Sequence, residues 1–293
     1  MTPDTPAPPS PQDFRQLHRL DVRWAEVDAQ GVVFNAHYLM YFDTALSAYW
    51  RAMGVSLADL RRALGGLFYL RRAEVDYRQA ARLDDQLAIG LRCSHIGRSS
   101  LSLQGAIFRQ DTLLAQAALV QVWSGLEFPA RAQPVPVLLR ELVADFDSGK
   151  EVLTLRLGDW DALGAAASFV RQAVFVQEQG IPPELEWDDA DVTSLHAVVF
   201  NRLGDAVATG RLLPDGHIGR LAVRRESRGS GVGQRLVQTL MQRARQAGHA
   251  EALLNAQTRA AGFYRRLGFT ERGECFMDAG IPHIEMRCAL TSL

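Results

Sequence analysis

The chain has 293 residues, enough for two domains with separate apolar cores, and 47% of its residues are hydrophobic, as is usual for globular proteins. A formal net charge of −1 excludes the strongly basic character expected of a nucleic-acid-binding protein or of one attracted to an anionic membrane. No stretch is apolar for long enough to span a bilayer, and three cysteines without a Cys-x-x-Cys pair predict reduced thiols in a cytoplasmic protein.

The start of the chain is rich in proline and predicts a disordered tail over residues 1–14, without an export signal. Leu17 to Glu26 then alternates apolar and polar residues, as a β strand does. After a break at 28–31, Asn35 is predicted to be the N-cap of a helix from Ala36 to about Met53. Aromatic residues recur along that helix at three- and four-residue steps, which predicts a buried, central helix.

The next part of the chain is rich in β-forming residues. Four strand-like stretches are joined by short, turn-like links: Leu67 to Tyr77, Gln86 to Ile96, Ser99 to Arg109 and Leu113 to Ser124. One long helix followed by such a run of strands predicts an antiparallel sheet wrapped around the helix.

The loop between the first strand and the helix carries a recognisable motif, Asp28-x-x-Gly31-x-x-x-Asn35-Ala36-x-Tyr38-Leu39. It resembles the hotdog-fold acyl-CoA thioesterases of the 4-hydroxybenzoyl-CoA thioesterase, YbgC and FadM type. The resemblance implies a hotdog domain over residues 15–147, with Asp28 as the catalytic carboxylate and the N–H groups near Asn35 facing the thioester carbonyl. It also implies a homodimer or homotetramer with active sites at the subunit interface. Asparagine at position 35 is the residue of the FadM-like branch, where YbgC relatives usually carry histidine.

The chemistry of thioester hydrolysis suits these residues. It requires a carboxylate that activates water or attacks the carbonyl carbon, and donors aimed at the developing negative charge. Asp28 has a structural alternative, an Asx turn or a helix cap. His37 is a further candidate one turn into the helix, although a lone histidine there more often has a structural role.

The second half of the chain begins after a short predicted helix, Val137 to Phe146, and a polar boundary at 147–150. Over residues 152–293 the order of elements predicts an α+β fold with a mixed sheet. The predicted strands are Val152 to Leu157, Leu195 to Phe200, Ala206 to Leu212, His217 to Val223, Ala250 to Asn255, Glu271 to Phe276 and Ile284 to Cys288. The predicted helices are Asp159 to Gln179, Gln234 to Gln246 and Arg259 to Leu267. The acidic run from Glu184 to Asp191 is predicted to be a solvated loop.

A glycine-rich loop, Arg228-Gly229-Ser230-Gly231-Val232-Gly233, lies between the predicted strand ending at Val223 and the helix starting at Gln234. Without Cβ atoms in the way, its backbone N–H groups can converge on an anion at the positive end of a helix dipole. The loop lacks the Gly-Lys-Ser/Thr of a Walker motif and the later acidic residue of a Rossmann fingerprint. These features predict a pyrophosphate-binding loop.

Strand, Arg-x-x-Gly-x-Gly loop and helix resemble the acetyl-CoA site of GNAT N-acetyltransferases, and two further segments resemble the ElaA-like branch: Arg171 to Gln179 and Gly280 to Met286. The resemblance implies acetyl-CoA contacts at Leu221, Val223, Arg228, Gly229, Ser230, Gly231, Val232 and Gly233. It also implies that Tyr264 protonates the departing thiolate, with a packing role as the alternative. The general base stays open among Glu178, Glu186 and His283.

The sequence therefore predicts a bifunctional enzyme that hydrolyses acyl-CoA and transfers an acetyl group from acetyl-CoA to an amine, without a metal cofactor. Acyl-CoA and an amine are the expected small-molecule partners. Two alternatives remain open. In the first, one domain is catalytic and the other binds acyl-CoA only as a sensor. In the second, the C-terminal domain resembles acyl-homoserine-lactone synthases, to which Arg211-Leu212-Leu213-Pro214 is similar.

Overall fold

The computed structural model describes residues 7–290, and the chain divides into two compact units, the first ending at Val152 and the second beginning at Leu153. Each unit contains its own sheet structure and its own buried apolar side chains. Within residues 7–290, no helix is both long and apolar enough to cross a membrane.

The first unit is built on a five-stranded antiparallel sheet in the order β1-β3-β4-β5-β2. The strands are β1 (Leu17–Asp21), β2 (Gly66–Tyr77), β3 (Gln86–Ile96), β4 (Ser100–Arg109) and β5 (Thr112–Gly125). The helices are α1 (Asn35–Ala52), α2 (Leu57–Leu64) and α3 (Val137–Asp147). Helix α1 packs on the sheet and buries Tyr38, Tyr41, Phe42, Ala45, Ala48, Tyr49 and Trp50. This arrangement confirms the predicted α+β class and the sheet wrapped around a long helix.

A glycine sets how closely α1 approaches the sheet. The ring of Phe42, which is fully buried, lies against Gly105 of β4. A Cβ atom at position 105 would stand 2.6 Å from a ring carbon of Phe42 and 3.0 Å from a methyl carbon of Leu91. Carbon atoms do not approach so closely, so the helix lies at this distance because residue 105 has no side chain.

The first strand is shorter than predicted. It ends at Asp21 rather than at Glu26, and Trp24–Glu26 forms a 3-10 turn. The Glu26 carboxylate accepts a hydrogen bond from the Arg23 amide at 2.9 Å, which turns the chain out of the sheet. Helix α1 begins at Asn35 itself, so the prediction of Asn35 as N-cap was wrong: Phe34 holds that position and supplies no side-chain cap.

Helix α2 lies where no helix was predicted. Its start is a reciprocal capping box, in which the Ser56 hydroxyl accepts from the Asp59 amide at 3.1 Å and the Asp59 carboxylate accepts from the Ser56 amide at 3.0 Å. Gly65, with φ of +64°, ends it.

The predicted tail over residues 1–14 is only partly within the structure, because residues 1–6 lie outside the described part. In the described part, Pro11–Asp13 form a 3-10 turn and Phe14 is buried against Phe108, with ring centroids 6.0 Å apart. The ordered chain therefore begins before residue 15, since an aromatic side chain anchors it to the sheet.

The second unit contains two antiparallel sheets, one with strand order β6-β7-β8-β9 and one with order β10-β12-β11. The strands are β6 (Thr154–Gly158), β7 (Leu195–Phe200), β8 (Ala206–Leu212), β9 (Ile218–Val223), β10 (Glu251–Gln257), β11 (Thr270–Asp278) and β12 (Ile281–Ala289). The helices are α4 (Trp160–Arg171), α5 (Pro183–Glu186), α6 (Ala190–Thr193), α7 (Val232–Gln246) and α8 (Ala261–Arg265).

One parallel bridge, between His217 and Leu253, joins the two sheets. Within residues 7–290, β9 and β10 pair through this bridge alone, and the gap between them opens into a cavity lined from both strands. The helix predicted from Asp159 to Gln179 is α4 followed by a π-helical segment, Gln172–Glu178. The Asp159 side chain caps α4 by accepting from the Ala162 amide at 2.9 Å.

Replacing Gly105 with valine tests the close helix–sheet contact. We expect Gly105→Val to destabilise the first unit by about 1–3 kcal/mol, because the new side chain overpacks the space filled by Phe42. Urea unfolding followed by tryptophan fluorescence measures the loss. Ser102→Val, on the same strand but only partly buried, is the control, and equal stabilities of the two variants would contradict the packing role of Gly105.

Candidate active sites

Asp28 lies in the loop that connects the 3-10 turn Trp24–Glu26 to α1. Its carboxylate Oδ1 accepts from the Gln30 amide at 2.8 Å, and its backbone N–H donates to the Val32 carbonyl at 2.9 Å. An antiparallel bridge between Val27 and Val33 holds the base of the loop. The side chain thus closes the Asx turn that was one of its predicted roles, and it stays partly exposed.

The N-terminus of α1 immediately follows this loop. Phe34 enters the helix with an extended backbone (φ −62°, ψ 135°) and gives no side-chain cap. The backbone N–H groups of Asn35 and Ala36 find no acceptor within residues 7–290, while the Tyr77 hydroxyl donates to the Asn35 carbonyl at 3.1 Å. The structure therefore brings Asp28 and two free amide donors together on one short loop, with the Asn35 side chain exposed.

Glu26 stabilises this loop through the hydrogen bonds of its side chain, and it was not predicted from the sequence to be a site residue. Its side chain is 4% exposed and accepts from the Tyr41 hydroxyl of α1 and the Arg23 guanidinium, both at 2.8 Å. Burial opposes ionisation, but the hydrogen bonds from Arg23 and Tyr41 outweigh it and hold the pKa of Glu26 below its usual value. The Glu26 carbonyl also accepts from the Phe34 amide at 2.9 Å, so this residue ties both ends of the loop to α1.

An apolar cavity of about 340 Å³ lies beside the start of α1, lined by that helix and by β2 and β5. Its lining residues are Ala36, Leu39, Met40, Asp43, Thr44, Leu46, Leu70, Leu119 and Gln121. The Gln121 side chain is only 5% exposed and has no hydrogen-bond partner among the described residues. The cavity therefore offers mostly apolar surface with one amide group, next to the free N–H of Ala36.

The glycine-rich loop of the second unit leads from β9 into α7. Gly229 (φ +78°) and Gly231 (φ +83°) adopt left-handed backbone conformations that other residues rarely take, and Gly231 is the N-cap of α7. The backbone N–H groups from Gly229 to Gly233 have no acceptor within residues 7–290. Five consecutive free donors at a helix N-terminus form an anion-binding surface.

Arg228 braces this loop. Its guanidinium makes a two-pronged ion pair with Glu178, both distances being 2.7 Å, and its Nε donates to the Val223 carbonyl at 3.0 Å. The Arg228 hydrogen bond lowers the pKa of Glu178. In this state the Arg228 side chain connects the loop to the π-helical segment instead of standing free for a phosphate.

A side chain is disfavoured at Gly233 for a different reason from that at Gly229 and Gly231. Its backbone is helical, but a Cβ atom there would lie 3.3 Å from a methyl carbon of Val223 and 3.7 Å from the Phe263 ring. Leu221 and Val223, both partly buried, lie on the strand that faces this turn. The loop, the end of β9 and α8 thus meet at Gly233.

A cavity of about 580 Å³ lies between β9 and β10, and Leu221 and Tyr264 are among its lining residues. Burial raises the pKa of Tyr264 to about 12, so its phenol is protonated at neutral pH. At position 257, where the GNAT resemblance leads one to expect asparagine, Gln257 donates to the Gln179 side chain at 2.9 Å.

The three base candidates have different surroundings. Glu178 is held by Arg228, outside the cavity lining. Glu186 lines the cavity, but it is 2% exposed and its Oε1 accepts from the Arg171 Nε at 2.6 Å. His283 also lines the cavity, and its Nδ1 lies 2.8 Å from the Ile281 carbonyl oxygen.

The acidic run predicted to be a solvated loop contributes instead to a buried ion network. Arg171, 1% exposed, donates to Glu186 and to Asp191, and Arg211 donates to Asp191 at 2.6 Å and to Asp188 at 2.5 Å. Burial raises the pKa of Glu186 despite Arg171, while the hydrogen bonds from Arg171 and Arg211 overcome burial and lower the pKa of Asp191. The prediction holds for Glu184 and Asp189, which are exposed, but it was wrong for Glu186 and Asp191, because the arginines that bury them lie outside the run.

Known protein families match the two halves of the chain separately. The thioesterase superfamily matches residues 30–116, and the acetyltransferase (GNAT) domain matches residues 183–290. The uncharacterized N-acetyltransferase YjcF of Bacillus subtilis (strain 168) is 37% identical over 123 residues, which cover 41% of this chain and 88% of that protein.

Solved structures include similar chains for each half. A putative N-acetyltransferase from Lactobacillus plantarum is 29% identical, covers 48% of this chain and 99% of its own, and has a TM-score of 0.45. A thioesterase from Thermus thermophilus, complexed with coenzyme A and Zn, is 31% identical, covers 48% of this chain and 98% of its own, and has a TM-score of 0.41.

The fold and the family matches define a protein of two enzyme-family domains in tandem, a thioesterase domain followed by an acetyltransferase domain. The chain belongs to the GNAT family through its second unit, and residues 30–116 of its first unit match the thioesterase superfamily. Both predicted family memberships are confirmed. Among residues 7–290, no three His, Cys, Asp or Glu side chains are grouped so that they could hold a metal ion.

Proposed function

We propose that the chain is a bifunctional CoA-thioester enzyme: the first unit hydrolyses acyl-CoA and the second transfers an acetyl group from acetyl-CoA to an amine. The observation that carries the proposal is common to both units. Each presents backbone N–H groups without acceptors at the start of a helix and contains a cavity, in a domain of an enzyme family that acts on such compounds.

In the proposed hydrolysis, the thioester carbonyl oxygen accepts from the free N–H groups of Asn35 and Ala36. These donors are fixed by the helix, so they stabilise the developing oxyanion without reorganising. The Asp28 carboxylate either removes a proton from the attacking water or attacks the carbonyl carbon itself. When water attacks, the C–S bond breaks, the thiolate takes the proton held by Asp28, and the acid loses its own proton and leaves as a carboxylate. When Asp28 attacks, breakage of the C–S bond leaves an acyl anhydride on Asp28, the thiolate takes a proton from solvent, and water hydrolyses the anhydride to the free acid and Asp28.

The cavity beside α1 is proposed to hold the acyl group. Its apolar lining from Leu39, Met40, Leu70 and Leu119 suits a hydrocarbon or aromatic acyl chain. Its volume of about 340 Å³ suits a short or medium chain rather than a long one.

In the proposed transfer, the pyrophosphate of acetyl-CoA binds the N–H groups from Gly229 to Gly233, with Leu221 and Val223 along the pantetheine arm. The amine attacks the thioester carbonyl, and the Tyr264 phenol gives its proton to the departing sulfur. A phenol whose pKa is about 12 is protonated at neutral pH and can serve as this acid.

Assembly through the first unit is part of the proposal. Strand β2 is a free sheet edge of 12 residues, and Tyr69, Leu70 and Tyr77 on it are 45%, 47% and 45% exposed. A long edge strand without a partner in the described structure is a pairing surface, and these exposed apolar side chains favour a second copy of the chain as its partner. Light scattering of the purified protein should give at least a dimer, and Leu70→Lys should shift it towards monomer. A monomeric, active wild-type protein would contradict this.

The assignment of Asp28 is tested by a nearly isosteric substitution. Asp28→Asn should lower the rate of acyl-CoA hydrolysis by about 10²- to 10⁴-fold, or about 3–5 kcal/mol of barrier, because the amide is neither a base nor a nucleophile. Thiol release from a series of acyl-CoA chain lengths measures the rate. Asp111→Asn, in an exposed turn, is the matched control. Turnover of Asp28→Asn at the wild-type rate would remove Asp28 from the mechanism.

The glycine loop is tested separately. Gly233→Val should abolish acetyl-CoA binding in calorimetry, because a side chain there meets Val223 and stiffens the loop. Amine-independent hydrolysis should be almost unchanged, because Asp28 lies in the other unit. Gln238→Val, on the exposed face of α7, is the control for a β-branched residue in this helix. If Gly233→Val stays folded and loses both activities, two independent sites are excluded.

A further inference from the structure

We infer that His283 is the proton acceptor of the second unit and that, together with Asp278, it makes the cavity between β9 and β10 a site for a primary ammonium group. The inference rests on the proposed acetyl transfer and names the acceptor chemistry of the same site.

The tautomer of His283 follows from its hydrogen bond. A carbonyl oxygen can only accept, so the His283 Nδ1, 2.8 Å from the Ile281 carbonyl oxygen, must carry a proton. In the neutral imidazole the other nitrogen, Nε2, then has a lone pair and no proton. That nitrogen has no partner among the described residues, and the ring is stacked on Phe276 at 6.0 Å and 27°, which fixes its plane.

The two other base candidates are already committed to arginines. Glu178 is ion-paired on both oxygens with Arg228, which lowers its pKa and reduces its basicity. Glu186 is buried, and its Oε1 accepts from the Arg171 Nε at 2.6 Å and lies 3.5 Å from the Arg220 Nε, so protonating it would remove the negative charge that these guanidiniums face. Of the three, His283 alone lines the cavity without an ion pair to an arginine.

Asp278 lies close to His283 because of the strand register. Phe276 of β11 pairs directly with His283 of β12, and Asp278 is two residues further along β11 on the same face. Its carboxylate has no hydrogen bond or ion pair within residues 7–290 and lines the cavity.

The charge of the cavity favours a cation. Its two guanidiniums, Arg211 and Arg220, belong with Arg171 to a network in which Glu186, Asp188 and Asp191 match them one for one. The carboxylates left unmatched by an arginine are Asp215, which lies beside His217, and Asp278. The ionisable groups that share the cavity with His283 are therefore Asp278, Tyr264, Asp215, His217 and Glu186, besides the two guanidiniums.

The proton inventory of the reaction is balanced by these groups. The ammonium group of the acceptor enters beside Asp278 and gives one proton to the His283 Nε2, which leaves a neutral amine. The amine nitrogen forms a bond to the acetyl carbon, the C–S bond breaks, and sulfur takes the Tyr264 proton. The nitrogen then gives its second excess proton to the Tyr264 phenolate, and the imidazolium releases its proton to water. The products are the amide, free CoA thiol and one proton.

The test measures amine-dependent thiol release from acetyl-CoA over pH 6–9 with n-butylamine, ethylenediamine, spermidine and glycine as acceptors. His283→Gln should lower kcat by about 10²-fold or more at pH 7 and remove the fall in rate that protonation of an imidazole causes on the acid side. Added imidazole should restore part of the rate. Asp278→Asn should raise KM for n-butylamine, ethylenediamine and spermidine about tenfold with little change in kcat.

The controls separate this inference from the proposed function. Calorimetry should show unchanged acetyl-CoA binding for His283→Gln and for His283→Asn, the second variant in case the first does not fold, and His249→Gln outside the cavity should behave like the wild type. Wild-type pH profiles and rates in both folded His283 variants would overturn the inference while leaving acetyl transfer intact. Absence of amine-dependent release from the wild-type protein with every acceptor would overturn both.

Discussion

The helix N-terminus is the constraint around which both units are built. The first N–H groups of a helix have no partner inside it, and a protein usually satisfies them with a capping side chain. Here α1 and α7 begin without such a cap, at Phe34 and Gly231, whereas α2 and α4 are capped by Ser56 and Asp159. The starts of α3, α5, α6 and α8 also lack a side-chain cap, and the proposed function uses only those of α1 and α7. A cap at either would occupy the donors that a thioester carbonyl or a pyrophosphate needs.

Each uncapped start needs a rigid support, and the two units provide it differently. In the first, Glu26 lies under the loop and bonds Tyr41 of the helix and Arg23 of the 3-10 turn, while Gly105 allows the helix to lie directly on the sheet. In the second, the ion pair of Arg228 and Glu178 connects the loop to the preceding helical segment. Buried packing supports the start of α1, and an exposed ion pair supports the start of α7.

Local patterns predicted much of this from the sequence. The aromatic period of α1 predicted the buried central helix, and the strand–glycine loop–helix order predicted an anion-binding loop, because each of these signals lies within a short stretch of the sequence. The capping box at Ser56 and Asp59 was a local signal too, and reading it would have revealed α2.

What the sequence could not show depends on contacts between distant segments. Glu26 stands in a stretch that alternates like a strand, and its burial follows from Tyr41, which reaches it from the helix. Glu186 and Asp191 of the acidic run are buried because Arg171 and Arg211 neutralise them from α4 and β8. The availability of the His283 Nε2 likewise follows from a backbone carbonyl and from its neighbours across the sheet.

The π-helical turn at Gln172–Glu178 has a consequence for the angular position of Glu178. A wider turn holds one more residue than an α-helical turn of the same length. Deleting a single residue there would restore ordinary α-helical bonding and would leave the residues beyond at nearly the same angle around the helix axis. Glu178 would then still face Arg228, and Gln179 would still face Gln257. The wide turn therefore absorbs an extra residue while one continuous helical segment serves the core at Val170 and the glycine loop at its far end.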